Sequence, residues 1–466
     1  MPAPDRPQYL KTLAAFCADT SLATLGPAVV ERARWIIADS LPVIAAGMQV
    51  PEMKALVSSH LKDSSSGTAW VFGAGGRKAS AIDAALLNGT AGTWLELDEG
   101  NLFAKGHPGI QVVPAAVAAA QESAAQGAVA LGLGASGADL LVAVALGYEV
   151  SSRIHRAANV KLAVHPHGTY GVIGAALAVG KLRGFDADRM LELINVSATM
   201  GMTTSRQTLL DGATVRNIYT GHSGYMGTMA ARLVESGFTG EIDSVSAIYG
   251  KILSDTFDPD LVVRDLGHDW LITQSYFKLH PTGRYVHSAI DALEDLLARV
   301  PGGRLDPAAI ERLEVRAYML AAMLQEKSVR TSFGARFSVP FALASILVRG
   351  RSGLASFDDA AVANPEIQNL AKRIELREEP SFTARYPAEQ PVALRATMRD
   401  GSVHEGHCTI TKGEPGKPHT AADLGGKFFE LGVPIWGEAT TRALFDGLTR
   451  LETIANFETF AGPLAL

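Results

Sequence analysis

Six segments in the first half of the chain repeat apolar residues at three- and four-residue spacing: 29–46, 80–97, 112–125, 137–156, 170–182 and 187–201. That period gathers the apolar side chains on one face of an α-helix. The faces are rich in alanine and glycine, as in Ala84, Ala85 and Gly89 or Gly171, Gly174 and Ala175. Small residues let helix backbones approach closely, so the pattern predicts a compact helical bundle. The links carry Gly, Pro, Asn, Asp or Ser, which start and stop helices.

After about residue 268 the texture changes. Residues 312–318 have strand character and 392–398 alternate, while Arg399-Asp400-Gly401 reads as a hairpin turn into a second alternating run ending at Thr411. A smaller α+β unit fits that interval. Beyond Lys412 a Gly and Pro cluster closes it, and 421–431 and 440–457 return to helical spacing. At 466 residues the chain exceeds one compact core, so more than one unit is expected.

Composition removes several function classes. A net charge of −6 with no long run of Lys and Arg gives no field for a phosphate backbone, so nucleic acid is not an expected partner. Cys17 and Cys408 are the only cysteines, too few for a disulfide framework, an iron–sulfur cluster or a structural zinc site. Residues 1–20 include Asp5 and Asp19 and lack the pattern of a signal peptide. The apolar stretch 127–150 is broken by Ser136, Asp139 and glycines, so no membrane span is expected. These features predict a cytoplasmic protein.

The chemistry-bearing residues fall in three short segments. Glu96-Leu97-Asp98-Glu99-Gly100-Asn101 precedes His107-Pro108-Gly109, placing three carboxylates and an imidazole in one turn-rich stretch. Crowded carboxylates raise one another's pKa and can hold a proton near neutrality, whereas the same residues in isolation would make a hydrated turn. His165-Pro166-His167-Gly168-Thr169-Tyr170 opens a helix, whose exposed amides can hold a carboxylate; alternatively Thr169 caps the helix and the histidines are bystanders. Phe277-Lys278-Leu279-His280-Pro281-Thr282-Gly283-Arg284 opens another. Two further motifs are decoys. Gly132-x-Gly134-x-x-Gly137 follows an alanine-rich helix rather than the strand a dinucleotide site requires, and His404-Glu405-Gly406-His407-Cys408 lies in an alternating arm that reads as a strand.

In order, and together with the turn Lys412-Gly413-Glu414-Pro415-Gly416, these segments resemble the MmgE/PrpD family. Its members include dehydratases of 2-methylcitrate, decarboxylases of cis-aconitate and epimerases of iminodisuccinate. The resemblance implies a mainly α fold: a large helical domain formed by 1–268 and 412–466, interrupted by a smaller α+β lid domain over 269–411. It also implies a homodimer and one pocket built from distant segments. His107, Lys278, His165 and Asp98 would then be the catalytic groups. Glu96, Glu99, His167, Arg216, His280 and Arg284 would bind the substrate.

Several positions depart from the family pattern. Gly100 replaces a common threonine, Gly283 stands where a histidine is sometimes found, and Phe341 occupies the place of a decarboxylase tyrosine. Arg216 replaces a lysine; a guanidinium grips a carboxylate through two hydrogen bonds but donates protons poorly.

The set points to removal and return of a proton next to a carboxylate of a small di- or tricarboxylic acid, with no metal and no cofactor. The reduced number of donors favours epimerisation of an iminodisuccinate-type substrate. The alternatives are a hydro-lyase or a decarboxylase, and, from another class, a carboxylate-binding protein without catalysis.

Overall fold

The protein is described by a computed structural model that covers residues 5–62, 67–125 and 135–466. It is mainly helical, with a small mixed sheet in the C-terminal region, as the periodicity predicts. Gly132 and Gly134 lie outside the described residues, while Gly137 opens the helix Gly137–Ala157 behind a Ser136 and Asp139 capping box.

The bundle centres on helix Gly171–Leu182, which packs against Pro108–Ala125, Gly137–Ala157 and Ile218–Glu235; the last also crosses Ala81–Gly92. Glycine at the crossings is a packing requirement. A Cβ on Gly221 would sit 2.3 Å from the Leu86 carbonyl oxygen, and one on Gly89 would sit 2.8 Å from the Gly221 Cα. Helix Gln8–Asp19 buries Leu10, Leu13 and Cys17 and packs against Ala187–Ala198. Among the described residues no helix is long and apolar enough to cross a membrane.

One large apolar core runs through these helices and takes in Phe277 and residues of the C-terminal helices Ala421–Trp436 and Glu438–Leu448. A second core lies between helix Arg284–Ala298, helix Val339–Arg349 and a four-stranded sheet. The sheet order is Val403–Cys408, Val392–Met398, Ile310–Ala317, Ile374–Glu378. The hairpin turns at Gly401, whose φ of +86° suits glycine, and places Val403 opposite Thr397. His404 and His407 lie on that strand.

Three sequence expectations are corrected. The helix expected over 80–97 ends at Gly92, because the chain unwinds into the acidic turn and sends Leu95 and Leu97 into a separate cluster with Val43 and Leu431. The helix expected over 440–457 stops at Leu448, and a new one begins at Phe457 with the Asn456 side chain capping Thr459 N–H. Strand Ile374–Glu378, which pairs in parallel with Ile310–Ala317, was not anticipated: five residues with three charges carry too short an alternation to read.

If the bundle depends on backbone contact, Gly221→Ala should destabilise it by about 1–3 kcal/mol, as overpacking does. Gly426, exposed within a helix and free of atoms within 4 Å, provides the contrast: Gly426→Ala should stabilise by about 0.5–1 kcal/mol. Urea unfolding of both variants checks the pair; a neutral Gly221→Ala would refute the close-packing account.

Candidate active site

The acidic turn and the lysine segment meet through a short antiparallel ladder. Gly100 pairs with Tyr276 and Asn101 with Ser275, so the same register brings Asp98 alongside Lys278. Lys278 Nζ lies 3.3 Å from Asp98 Oδ1 and 3.5 Å from Glu96 Oε2. Glu96 Oε1 is 2.5 Å from Arg216 NH1, which also donates to Thr93 Oγ1 at 2.7 Å. Glu96 itself is held with φ +54°, a conformation that costs a non-glycine residue of order 1 kcal/mol. Arg336 braces this turn: its NH1 donates to the carbonyls of Leu95 and Pro281, at 3.0 and 2.9 Å.

The two neighbouring carboxyls take opposite protonation states. Burial alone would raise Asp98, but His107 and Lys278, with help from Arg216, override it and hold the group well below the usual carboxylate range. Burial and then the Asp98 charge push Glu99 up to about 8, so it keeps its proton at neutrality. Its carboxyl accepts hydrogen bonds from Gly109 N–H and, at 3.1 Å, Tyr148 Oη. A Cβ at position 109 would fall 2.3 Å from Glu99 Oε1, so the contact needs glycine there.

His107 is oriented from behind. Its Nδ1 lies 2.6 Å from the Glu99 carbonyl oxygen and 3.0 Å from Asp98 Oδ2. A carbonyl can only accept, so Nδ1 carries a proton, and in the neutral ring Nε2 is the nitrogen with the lone pair. His165 Nδ1 accepts the His167 backbone N–H at 3.1 Å, while Arg216 Nε stands 3.4 Å from His165 Nε2. A neutral imidazole offers one acceptor, so two donors compete for it, and a carboxylate that accepts from Arg216 relieves the competition. Burial, then the Arg216 charge, pushes both His165 and His167 well down, which keeps them neutral. The His167 ring meets His107 and His165 edge-on at 4.9 and 4.7 Å. Thr169 does not cap the following helix; its hydroxyl donates to the Pro166 carbonyl.

One cavity, open at its mouth, collects these groups. Glu96, His107, His165, His167, Arg216 and Arg284 line it. Asp98, Glu99 and Lys278 are fully buried in the layer behind. Arg284 is largely engaged, with Nε and NH2 on Glu414 Oε1 at 3.0 and 2.6 Å and NH1 on the Lys412 carbonyl. His280 stands apart. The chain turns after Lys278, and His280 packs 5.1 Å from His287 beside a different pocket that contains Lys427.

Other residues in and behind the cavity wall carried no signal in the sequence. Gln111 ties the two histidine segments together by donating to the His107 carbonyl and accepting from Gly168 N–H, at 3.1 and 3.0 Å. Phe341 is buried against Phe357 and does not line the cavity, whereas Tyr276, Tyr285 and Tyr386 do. A Cβ on Gly100 would lie 2.3 Å from Tyr276 Oη, so the hydroxyl of Tyr276 fills the space that a larger residue at position 100 would take. Only the ladder register reveals that pairing.

The raised Glu99 has a stability signature. Its folded value of about 8 exceeds the ordinary 4.5, so the folded state binds the extra proton between those limits and loses stability as pH rises through them. Relative to wild type, Glu99→Gln should therefore gain stability steadily from about pH 5 to about pH 8 and hold it above. Thermal midpoints measured across that range test this; a difference independent of pH would show Glu99 to be ionised throughout.

Known proteins match this chain over most of its length. Residues 11–256 match the MmgE/PrpD N-terminal domain and residues 280–449 the MmgE/PrpD C-terminal domain, with Lys278 falling between the two stretches. Cis-aconitate decarboxylase of Aspergillus terreus is 25% identical over 397 residues, covering 80% of this chain and 79% of that protein. The cis-aconitate decarboxylases of Mus musculus and Homo sapiens are each 24% identical, covering 91% and 86% of this chain and 87% and 82% of their own lengths. With the family pattern spanning most of its length, the chain belongs to the MmgE/PrpD family.

Proposed function

We propose that this chain is an enzyme that moves a proton at the carbon next to a carboxylate of a small di- or tricarboxylic acid, using side chains alone. The observation that carries the reading is His107: Nδ1–H is fixed by the Glu99 carbonyl and the Asp98 charge, which leaves Nε2 as a base on a residue lining the cavity. Arg216 NH2 makes no hydrogen bond among the described residues and is the natural clamp for the substrate carboxylate. Neutral His165 and Arg216 then stabilise the enolate-like charge that forms. Lys278, buried behind them, keeps Glu96 and Asp98 paired and so acts through His107 and Arg216.

Lyase chemistry of the decarboxylase kind is the first reading of the overall reaction. The relatives named above are cis-aconitate decarboxylases, and three tyrosines in the cavity wall supply phenolic donors for protonating a carbanion. The argument from Phe341, that such a donor is missing, loses its force because the donors come from other positions. Epimerisation of an iminodisuccinate-type acid is the second reading, favoured by Arg216, which grips a carboxylate without donating a proton.

Incubating the protein with a panel of di- and tricarboxylates in heavy water separates them. A decarboxylase releases carbon dioxide with one deuterium entering the product; an epimerase exchanges the α-hydrogen and releases none. In the epimerase reading His107→Gln should lower the rate by about 10²–10⁴-fold with the fold intact, the usual loss of a general base; in the decarboxylase reading, where no proton is removed, it should lower the rate through the lost ring beside the Asp98 charge. Lys278→Met should suppress the rate and also destabilise the protein by about 3–5 kcal/mol, because two buried carboxylates lose their partner. Full activity in His107→Gln would exclude this mechanism, and no exchange or turnover with any acid would leave a binding protein.

A further inference from the structure

The charged groups account for only part of the cavity wall. An apolar part is built from Leu209, Leu210, Leu320, Met323, Leu324 and Phe337. They come from two directions. Leu209 and Leu210 end the short helix Gln207–Leu210, whereas Leu320, Met323 and Leu324 belong to helix Met319–Ala322 and the turn after it. Leu209, Leu210 and Leu320 pack against the second core, so its apolar surface continues into the cavity wall. Phe337 joins the apolar part to the charged one: the Arg216 guanidinium carbon lies 5.7 Å from its ring centre. Arg206, one turn before Leu209, and Lys105 add two cations at this cavity that have no carboxylate partner among the described residues.

Resting on the proton-transfer reading of the site, we infer that its substrate is a carboxylic acid carrying an alkyl or aryl substituent. Its carboxylates meet Arg216, Arg206 and Lys105, and the apolar substituent runs past Phe337 between the two leucine-bearing helices. An acid that is polar on all sides would leave that wall facing water, while a hydrocarbon chain would cover it. Each methylene moved from water to such a wall tightens binding by about fourfold at most.

Calorimetric titration of the full chain with succinate, 2-methylsuccinate, 2-butylsuccinate and phenylsuccinate tests this without requiring turnover. Kd should fall by about two- to fourfold per added methylene up to butyl, and phenylsuccinate should also bind more tightly than succinate. Leu209→Ser and Leu320→Ser should each flatten that dependence on chain length. A Kd that is constant or rises with chain length in the wild type overturns the inference, as does failure of the whole series to bind. The two readings separate cleanly. Tail preference without any exchange in heavy water removes the reaction and keeps the substrate class; exchange of unsubstituted acids without tail preference does the reverse.

Discussion

The buried charge of Asp98 is the interaction on which the site depends. With no exposed surface of its own, this carboxylate lies 3.0 Å from His107 Nδ1 and 3.3 Å from Lys278 Nζ, joining segments 180 residues apart in sequence. A carboxylate so placed is tolerated only because cations and a ring N–H surround it. Its ionisation then dictates its neighbours. It keeps a proton on His107 Nδ1, and it pushes Glu99 toward the neutral form so that two adjacent carboxyls need not both carry charge. Glu99 in turn fixes His107 through its backbone carbonyl and the Gly109 amide through its side chain.

That arrangement requires rigid supports, and the helices provide them. Backbone contacts at Gly89 and Gly221 leave little room for the helices bearing the acidic turn and Arg216 to shift. The functional side chains project from helix ends and from the short ladder of Gly100–Asn101 with Ser275–Tyr276, where backbone direction can change. Arg336, from the region of the second core, closes the frame by donating to carbonyls on both the acidic turn and the Pro281 segment. Burial lowers its pKa to about 10, which leaves it charged at neutrality.

Much of this was legible in the sequence because helical periodicity is local. The spans 29–46, 137–156 and 170–182 became Pro27–Gly47, Gly137–Ala157 and Gly171–Leu182. The helix over 80–97 overshot because Leu95 and Leu97 keep the apolar rhythm while the backbone has already unwound to place Glu96. Within the site, Glu96, His107, His165, His167 and Arg216 reach one cavity, since each sits in a short motif whose neighbours fix its direction. His280 shares such a motif with Lys278, yet the turn after the lysine carries it elsewhere. Gln111, the three cavity tyrosines and the leucine wall were invisible, because their places depend on strand register and helix packing across hundreds of residues. The reading of Phe341 weighed one position alone, whereas Tyr276, Tyr285 and Tyr386 line the cavity and Phe341 packs against Phe357.

The most direct measurement is the neutral tautomer of His107, read from ring nitrogen chemical shifts in protein labelled with ¹⁵N-histidine and assigned with a variant lacking that ring. The account requires the proton on Nδ1 and a bare Nε2, as the Glu99 carbonyl contact demands. A proton found on Nε2 would contradict it, since the nitrogen assigned as the base would then have no lone pair to offer.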